Sequence, residues 1–542
     1  MTNLVITGFM GTGKTVVGQR VAHLLDRRFL DMDAEIETRA GKSIRTVFEE
    51  QGEAAFRDME AALCRELSHR EDEQVPSSEG LVIATGGGTL IDPANRALMM
   101  RTGTVVCLSS EADEVLRRLN EAEKRDRPLL AVVDPLAEIE RLMESRREHY
   151  EAIPWQIDTA GRPIEDVAAR VVQLARTRTL PVRSPGGGYE IHVGDGLLAH
   201  VGGAMRAAGI PSGSLVAVVS NDVVAPLYRA AVETSLRSAG FRRCVCKIPD
   251  GEEHKSLATV ASLYDQFLAA GLDRSGTVLA LGGGVTGDVA GYAAATYMRG
   301  VGLVQVPTSL LAMVDASVGG KTGVDLSQGK NLVGAFKQPE LVLIDPAVLA
   351  TLPDEEFRCG LAEIIKHGVI GDPELFAELE GSPGDTSSWR GAHATPRIVQ
   401  ALQVKIGIVE NDPYESGRRA VLNLGHTVGH AIEKLSGFSL GHGQAVAVGM
   451  VAAARIAVET GLAEPSVADR VRAVLTKWGL PVRCPEQNAE AISEAMAHDK
   501  KRRGRRLRWV LPCRIGRVEI VDDVPTEVVK LVLEDLTERS ST

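Results

Sequence analysis

Asn3-Leu-Val-Ile-Thr7 runs directly into Gly8-Phe-Met-Gly-Thr-Gly13-Lys14-Thr15. The first five residues are a β-type apolar run. The next eight fit G-x-x-x-x-G-K-[ST] and open a helix, the context in which backbone N–H groups cradle phosphates. Gly11, Thr12 and Gly13 wrap the anion, Lys14 reaches the β- and γ-phosphates, and the Thr15 hydroxyl holds Mg²⁺. The donor is therefore a nucleoside triphosphate with Mg²⁺, bound on a parallel α/β sheet. The loop leaves the acceptor open.

Outward from that loop the same alternation recurs, with strand-like runs at 3–7, 81–85, 104–108, 214–219, 277–281 and 303–306, each followed by turn glycines and helical spacing. Around Arg176 a helical pattern gives way to Thr177-Arg-Thr-Leu-Pro-Val-Arg-Ser-Pro-Gly-Gly-Gly188, a breaker-rich stretch read as a linker before a strand at Tyr189–Val193. Beyond about residue 350 helical segments dominate, at 354–370, 396–410, 424–435 and 444–460. The expected organisation is a P-loop domain over 1–175, a linker over 176–188, a Rossmann-like α/β domain over 189–350 and a mostly helical metal-binding domain over 351–542.

With 542 residues the chain is long enough for several cores, and 44% apolar with 25% charged residues is ordinary for a folded protein. The charge is acidic on both sides of Leu180, with 24 basic against 31 acidic residues before it and 37 against 41 after, so neither half reads as a nucleic-acid domain. No basic and apolar leader precedes the first strand, which leads to the expectation of a cytoplasmic protein. Leu435 to Ala454 lacks charge but is interrupted by Ser436, Ser439, His442 and Gln444, so it reads as a buried helix entry and not a membrane span. Seven cysteines, with only Cys244 and Cys246 closely spaced, read as reduced structural thiols.

Four features follow the phosphate loop: Asp31-Met-Asp33 after a second strand, Phe56-Arg57, Thr85-Gly-Gly-Gly88, and Arg146 four residues before Tyr150. In this order they resemble shikimate kinase. The resemblance implies that Asp33 takes substrate hydroxyls, that Arg57, Arg146 and Gly87 hold the substrate, that Asp31 stands on the magnesium side, and that Arg127-Pro-Leu-Leu130 is a lid whose arginine approaches ATP. Two guanidinium groups suit a small carboxylate.

In the second half Thr277–Leu281 leads into Gly282-Gly-Gly-Val-Thr-Gly-Asp288, which contains G-x-G-x-x-G, but no acidic ribose partner follows at about 20 residues. The ordinary dinucleotide fingerprint therefore fits poorly. Glu363, His426, His430 and His442 fall in short motifs of metal-site chemistry, and His426 and His430 share a helix face without the Glu of H-E-x-x-H. On these residues alone a buried, backbone-satisfied histidine pair stands as an equal reading. Lys321, Lys330, Lys366, Lys405, Arg419 and Lys500 set cations nearby, which implies a polyanionic substrate.

The ordered motifs Pro249-Asp-Gly-Glu-Glu-His-Lys-Ser256, Gly282 to Asp288, Tyr297-Met-Arg-Gly300, Val306-Pro-Thr-Ser309 through Asp315, and Gly319-Gly-Lys-Thr322 resemble 3-dehydroquinate synthase from about Tyr189 onward. Glu415, Arg419 and Asn423 recur at that family's four-residue steps before His426. The resemblance places a metal, zinc or cobalt, on Glu363, His426 and His442, and gives His430 a part in proton transfer. It brings NAD to Glu252, Lys255, Gly284, Val285, Asp288, Thr308 and Ser309, with Asp315, Lys321 and Lys330 shared between cofactor and substrate. It sets Asn331, Lys366, Lys405, Glu415, Arg419, Asn423 and Lys500 around the substrate. Arg299 matches an arginine that reaches a neighbouring subunit, so a homodimer is implied. The implied reaction converts 3-deoxy-arabino-heptulosonate 7-phosphate to 3-dehydroquinate and phosphate, with NAD regenerated.

Two rival readings remain. A P-loop kinase of other specificity fused to a metal-dependent alcohol or glycerol dehydrogenase would share the loop, the glycine turn and the histidines, but a neutral alcohol gives no reason for the cation cluster. Lys500-Lys-Arg-Arg-Gly-Arg-Arg506 could be a nucleic-acid patch, a reading opposed by the acidity of the rest of the chain.

Overall fold

A computed structural model describes residues 3–69, 80–119, 134–437, 439–503 and 508–538, with the side chains of 392 and 498–503 outside the description. The lid segment at Arg127, the side chain of Lys500 and much of the basic run after it thus lie outside the described residues. Packing divides the chain into two compact units.

The first unit comprises residues 1–177 with 196–214 and 231–242. Its sheet has β1 (Asn3–Gly8), β2 (Phe29–Asp31), β3 (Val82–Ala84), β4 (Gly103–Ser109) and β5 (Trp155–Asp158) in the order β2-β3-β1-β4-β5. Every pairing is parallel. Leu4, Val5 and Ile6 are each at most 1% exposed, so both faces of β1 are covered and the strand reads as a continuous apolar run instead of an alternation. Val5, Ile83 and Val105 pack with Met32, Phe56 and Leu63 on one side of the sheet. The phosphate loop leaves β1 at its carboxyl end, where open α/β sheets bind ligands.

The second unit holds a seven-stranded sheet in the order β6-β7-β14-β11-β10-β8-β9. The strands are β6 (Arg178–Ser184), β7 (Gly187–Val193), β8 (Leu215–Ser220), β9 (Arg242–Lys247), β10 (Thr277–Gly282), β11 (Gly302–Pro307) and β14 (Leu341–Ile344). A hairpin of β12 (Lys321–Leu326) and β13 (Gly329–Phe336) lies outside that sheet. The segment read as a linker is here corrected: residues 178–184 form β6, which pairs antiparallel with β7 from Arg178↔Val193 to Ser184↔Gly187. Pro181 is compatible with this because β6 is the edge of the sheet, where a missing N–H costs no ladder bond.

Helices follow at Asp354–Gly371, Ala394–Asn411, His426–Leu435 and His442–Glu459, close to the spacing expected, together with Pro465–Lys477, Ala489–Arg503 and Thr526–Thr537. A terminal hairpin of β15 (Trp509–Arg514) and β16 (Arg517–Val521) was not expected in this helical region. All seven cysteines are free. Among the described residues no helix is long and apolar enough to cross a membrane.

Candidate active sites

In the first unit the loop Gly8–Gly13 turns through left-handed backbone at Gly11 (φ 75°) and Gly13 (φ 91°), conformations that glycine adopts without strain. The helix Lys14–Leu25 starts there, its N-terminal N–H groups facing the loop. Lys14 Nζ donates to the Phe9 carbonyl at 3.0 Å and Thr12 Oγ1 to the same carbonyl at 2.7 Å. Thr15 Oγ1 donates to Asp31 Oδ2 at 2.8 Å, while Asp31 Oδ1 caps the next helix by accepting from Asp33 N at 3.1 Å. A hydroxyl and a carboxylate thus meet beside the phosphate cradle, a donor pair suited to Mg²⁺.

Across the loop, the glycines at 86–88 allow side chains to approach the backbone closely. A Cβ on Gly86 would lie 2.6 Å from Asp33 Oδ1, and one on Gly88 would collide with the Arg57 guanidinium. Tyr150 OH donates to the Gly87 carbonyl at 2.5 Å, and Arg146 stacks over Phe9 with Cζ 5.7 Å from the ring centre. An open cleft of about 500 Å³ is lined by Arg57, Glu60, Gly88, Thr89, Asp92 and Arg146. It brings the two arginines read from the sequence to one cavity.

Sequence reasoning missed Glu60. It is 1% exposed, and its carboxylate accepts from Arg57 Nη1 at 2.7 Å and from Thr89 Oγ1 at 2.5 Å. Burial works against the Arg57 charge, but Glu60 and then Glu53 outweigh it and raise the guanidinium above its usual range. The only sequence signal was its i+3 position after Arg57 on a helix, a spacing common on solvated faces.

In the second unit three helices converge because glycines remove the side chains that would hold them apart. A Cβ on Gly443 would collide with the Cys359 backbone, and one on Gly449 with the Gly425 carbonyl. Gly425, left-handed at φ 81°, starts the helix that carries His426 and His430. The imidazole centres of His426 and His430 are 5.0 Å apart, those of His426 and His442 5.3 Å, and those of His430 and His442 6.1 Å. Ligand atoms of Glu363, His426 and His442 all lie within 4.8 Å of one another, as a divalent ion requires.

Glu363 is fully buried, ion-paired with Lys366, and accepts no hydrogen bond of ordinary geometry. Burial would raise its carboxyl, yet Lys366 and the imidazoles of His442 and His426 bring it below the usual range, so it stands as an anion. Burial, then Lys366 and His430, hold His426 well below the ordinary imidazole value, leaving it neutral and able to ligate. The set of one carboxylate and two imidazoles fits zinc or cobalt.

The other expected residues surround this centre unevenly. Asp288, on the helix Gly284–Thr296, pairs with Lys255 at 2.6 Å, and Gly284 and Val285 open that helix after β10. Thr308 N donates to the Gly282 carbonyl at 2.9 Å, and Ser309 Oγ would lie 3.4 Å from a Cβ on Gly283, so these residues share the carboxyl ends of β10 and β11. Lys405 Nζ donates to Asp315 Oδ1 at 2.6 Å. Lys330 pairs with Glu252 at 2.9 Å, and Lys321 pairs with Glu415 at 2.6 Å, with Asn423 Nδ2 3.5 Å from the same carboxylate. Arg419, 2% exposed, donates to the carbonyls of Pro413 at 2.6 Å and Gly319 at 3.0 Å.

Lys321, Lys330, Lys366 and Lys405, read as cations for a polyanionic substrate, thus each stand in an ion pair with a carboxylate. Arg299 and Asn331 both take left-handed backbone, at φ 68° and 52°. Asn331 N donates to Asp325 Oδ1 at 2.7 Å. Neither has a described contact with the metal-ligand set.

Family models match along most of the chain: the one described as shikimate kinase over residues 10–176, and those described as 3-dehydroquinate synthase N-terminal and C-terminal over 245–359 and 360–502. A 3-dehydroquinate synthase of Nostoc punctiforme is 46% identical over 367 residues, spanning 66% of this chain and 100% of its own. Among solved structures, 2-epi-5-epi-valiolone synthase of Streptomyces hygroscopicus, with NAD⁺ and Zn²⁺ bound, aligns with 66% of this chain and 99% of its own at 30% identity and a TM-score of 0.60. A 2-deoxy-scyllo-inosose synthase complexed with carbaglucose-6-phosphate, NAD⁺ and Co²⁺ aligns with 66% of this chain and 100% of its own at 27% identity and a TM-score of 0.59.

Proposed function

The chain belongs to the 3-dehydroquinate synthase family and, over residues 10–176, to that of shikimate kinase; on that footing we propose that it catalyses two reactions. The first unit transfers the γ-phosphoryl group of ATP to shikimate. The second converts 3-deoxy-arabino-heptulosonate 7-phosphate to 3-dehydroquinate and phosphate. The observation that carries the second assignment is the buried Glu363 grouped with the half-buried His426 and His442, with Lys366 in contact and the Asp315–Lys405 pair alongside.

In the kinase, Lys14 and the loop N–H groups stabilise charge on the transferred phosphoryl group, Thr15 and Asp31 hold Mg²⁺, and Asp33 orients the attacking hydroxyl. Arg57, anchored by Glu60, and Arg146 hold the acceptor carboxylate.

In the synthase, Glu363, His426 and His442 would hold zinc or cobalt, which would supply Lewis-acid polarisation of a substrate hydroxyl. Gly284, Val285, Thr308 and Ser309, with the Lys255–Asp288 pair, would hold NAD, which would supply reversible oxidation of that hydroxyl. His430 moves a proton at the reacting ring. Lys321, Lys366, Lys405, Arg419, Asn423 and Lys500 fix the anionic substrate, with Lys330 and Asn331 at the border with the cofactor. Substrate anions exchange places with the carboxylates of Glu415, Glu252, Glu363 and Asp315 on these lysines, so selectivity comes from partner exchange. A homodimer in which Arg299 reaches the neighbouring site is part of the same proposal.

Two assays on the purified chain test it: ATP-dependent phosphorylation of shikimate, and phosphate release from the heptulosonate phosphate with zinc and substoichiometric NAD. Phosphorylation of another acceptor in preference to shikimate, or release of phosphate from a sugar 6-phosphate in preference to the heptulosonate phosphate, would contradict the corresponding half.

A further inference from the structure

Glu433 has no part in the reading above, yet it is 3% exposed and projects from the helix that carries His426 and His430. Positions 426, 430 and 433 follow i, i+4, i+7 spacing and share one face. Glu433 Oε1 accepts from Lys330 Nζ at 2.7 Å, and that ammonium also pairs with Glu252 at 2.9 Å. Its other oxygen, Oε2, lies 3.6 Å from His442 Nδ1, whereas His442 Nε2 faces Glu363 Oε1 at 3.7 Å. The His442 ring therefore stands between two carboxylates, one at each nitrogen.

A neutral imidazole that ligates through one nitrogen keeps its proton on the other, and an acceptor at that proton fixes both tautomer and ring orientation. Glu363 is grouped with His426 as well as His442, so Nε2 is the ligating side and Nδ1 the protonated side. Glu433 could itself be a ligand, since His430, Glu433 and His442 form a second possible group. Its Oε2, however, lies on the Nδ1 side of His442, opposite the Nε2 that faces Glu363, where it is placed to accept a proton.

We propose that Glu433 is a positioning residue of the metal centre. It accepts the Nδ1 proton of His442, presents Nε2 beside Glu363 and His426, and through Lys330 ties that ring to Glu252 on the nucleotide side. This rests on the metal-centre reading of Glu363, His426 and His442.

The test uses the full chain stripped of metal and reloaded with Zn²⁺ in competition with a chromophoric chelator, in the wild type, Glu433→Gln, Glu433→Asp and His442→Ala. Cobalt-loaded samples supply a visible spectrum that reports ligand geometry. Glu433→Gln should weaken zinc binding by about 10–100-fold, the usual cost of losing an outer partner of a metal-bound histidine, and should alter the cobalt spectrum. Glu433→Asp should recover part of the affinity, and His442→Ala should lose more than either. Should Glu433→Gln fail to fold, an intermediate loss in Glu433→Asp carries the same support. Wild-type affinity and spectrum in Glu433→Gln, with loss in His442→Ala, would overturn the proposal and leave the metal centre standing. Wild-type affinity in His442→Ala as well would overturn both.

Discussion

Lys14 lies in the phosphate loop of the first unit, so Lys14→Ala should abolish phosphorylation of shikimate while leaving phosphate release by the synthase at its wild-type rate. Coupled assays on one preparation measure both, and equal loss of both activities would contradict independent sites. Glu60→Gln should raise the shikimate KM about tenfold, the equivalent of about 1.4 kcal/mol, with little change in kcat, because the side chain orders Arg57 and touches no reacting atom. His426→Ala should lose metal, whereas His430→Ala should keep it and turn over slowly; metal analysis of the purified variants separates the two. Lys14, Thr15, Arg57, Glu363 and the histidines were legible because their motifs combine rare residue types at demanding spacings. Glu60 and Glu433 were not, since a single glutamate on a helix ordinarily faces water and only the folded packing shows these two buried.

The hairpin β6–β7 places His192 inside the second unit, where its Nδ1 is 2.9 Å from Thr179 Oγ1. Burial pushes its imidazole down to about 4. Glu190 lies 3.4 Å from Nε2, but its side chain is 59% exposed and does not offset that burial. A base with a depressed folded value binds fewer protons in the folded state, so its stability contribution is complete above the unfolded value of about 6.5 and is lost as pH falls toward 4. Between pH of about 6.5 and 5 the loss is about 2 kcal/mol. Denaturant midpoints near pH 7 and pH 5 should show it in the wild type, and His192→Gln should show less. Gly443→Ala, which forces a Cβ against the Cys359 backbone, should destabilise by about 1–3 kcal/mol and weaken zinc binding by moving His442. The strands with unbroken apolar runs were legible as short apolar stretches bounded by turn glycines. β6 was not, because Pro181 and the glycines at 186–188 carry the same signal in an edge hairpin as in a linker.

Each unit contains a complete set of the residues assigned to its reaction, so a fragment ending near Arg178 should still phosphorylate shikimate. The first unit nevertheless includes residues 196–214 and 231–242. Within it the Trp155 ring meets His200 edge-on at 6.1 Å, and Arg206 pairs with Glu151 at 3.1 Å. The fragment gives up that packing and should melt at a lower temperature than the kinase transition of the full chain; an inactive fragment beside an active full chain would place the boundary elsewhere. That the later segment packs with the kinase core was not legible, since no motif marks a helix shared across domains. Under the proposed synthase reaction, the second unit returns to the substrate the hydride it removes. With zinc, excess heptulosonate phosphate and a small amount of NAD, phosphate and absorbance at about 340 nm, where reduced nicotinamide absorbs, are followed together. Many phosphates released per NAD with a flat absorbance is the predicted result, and reduced nicotinamide rising in step with substrate consumed would contradict it.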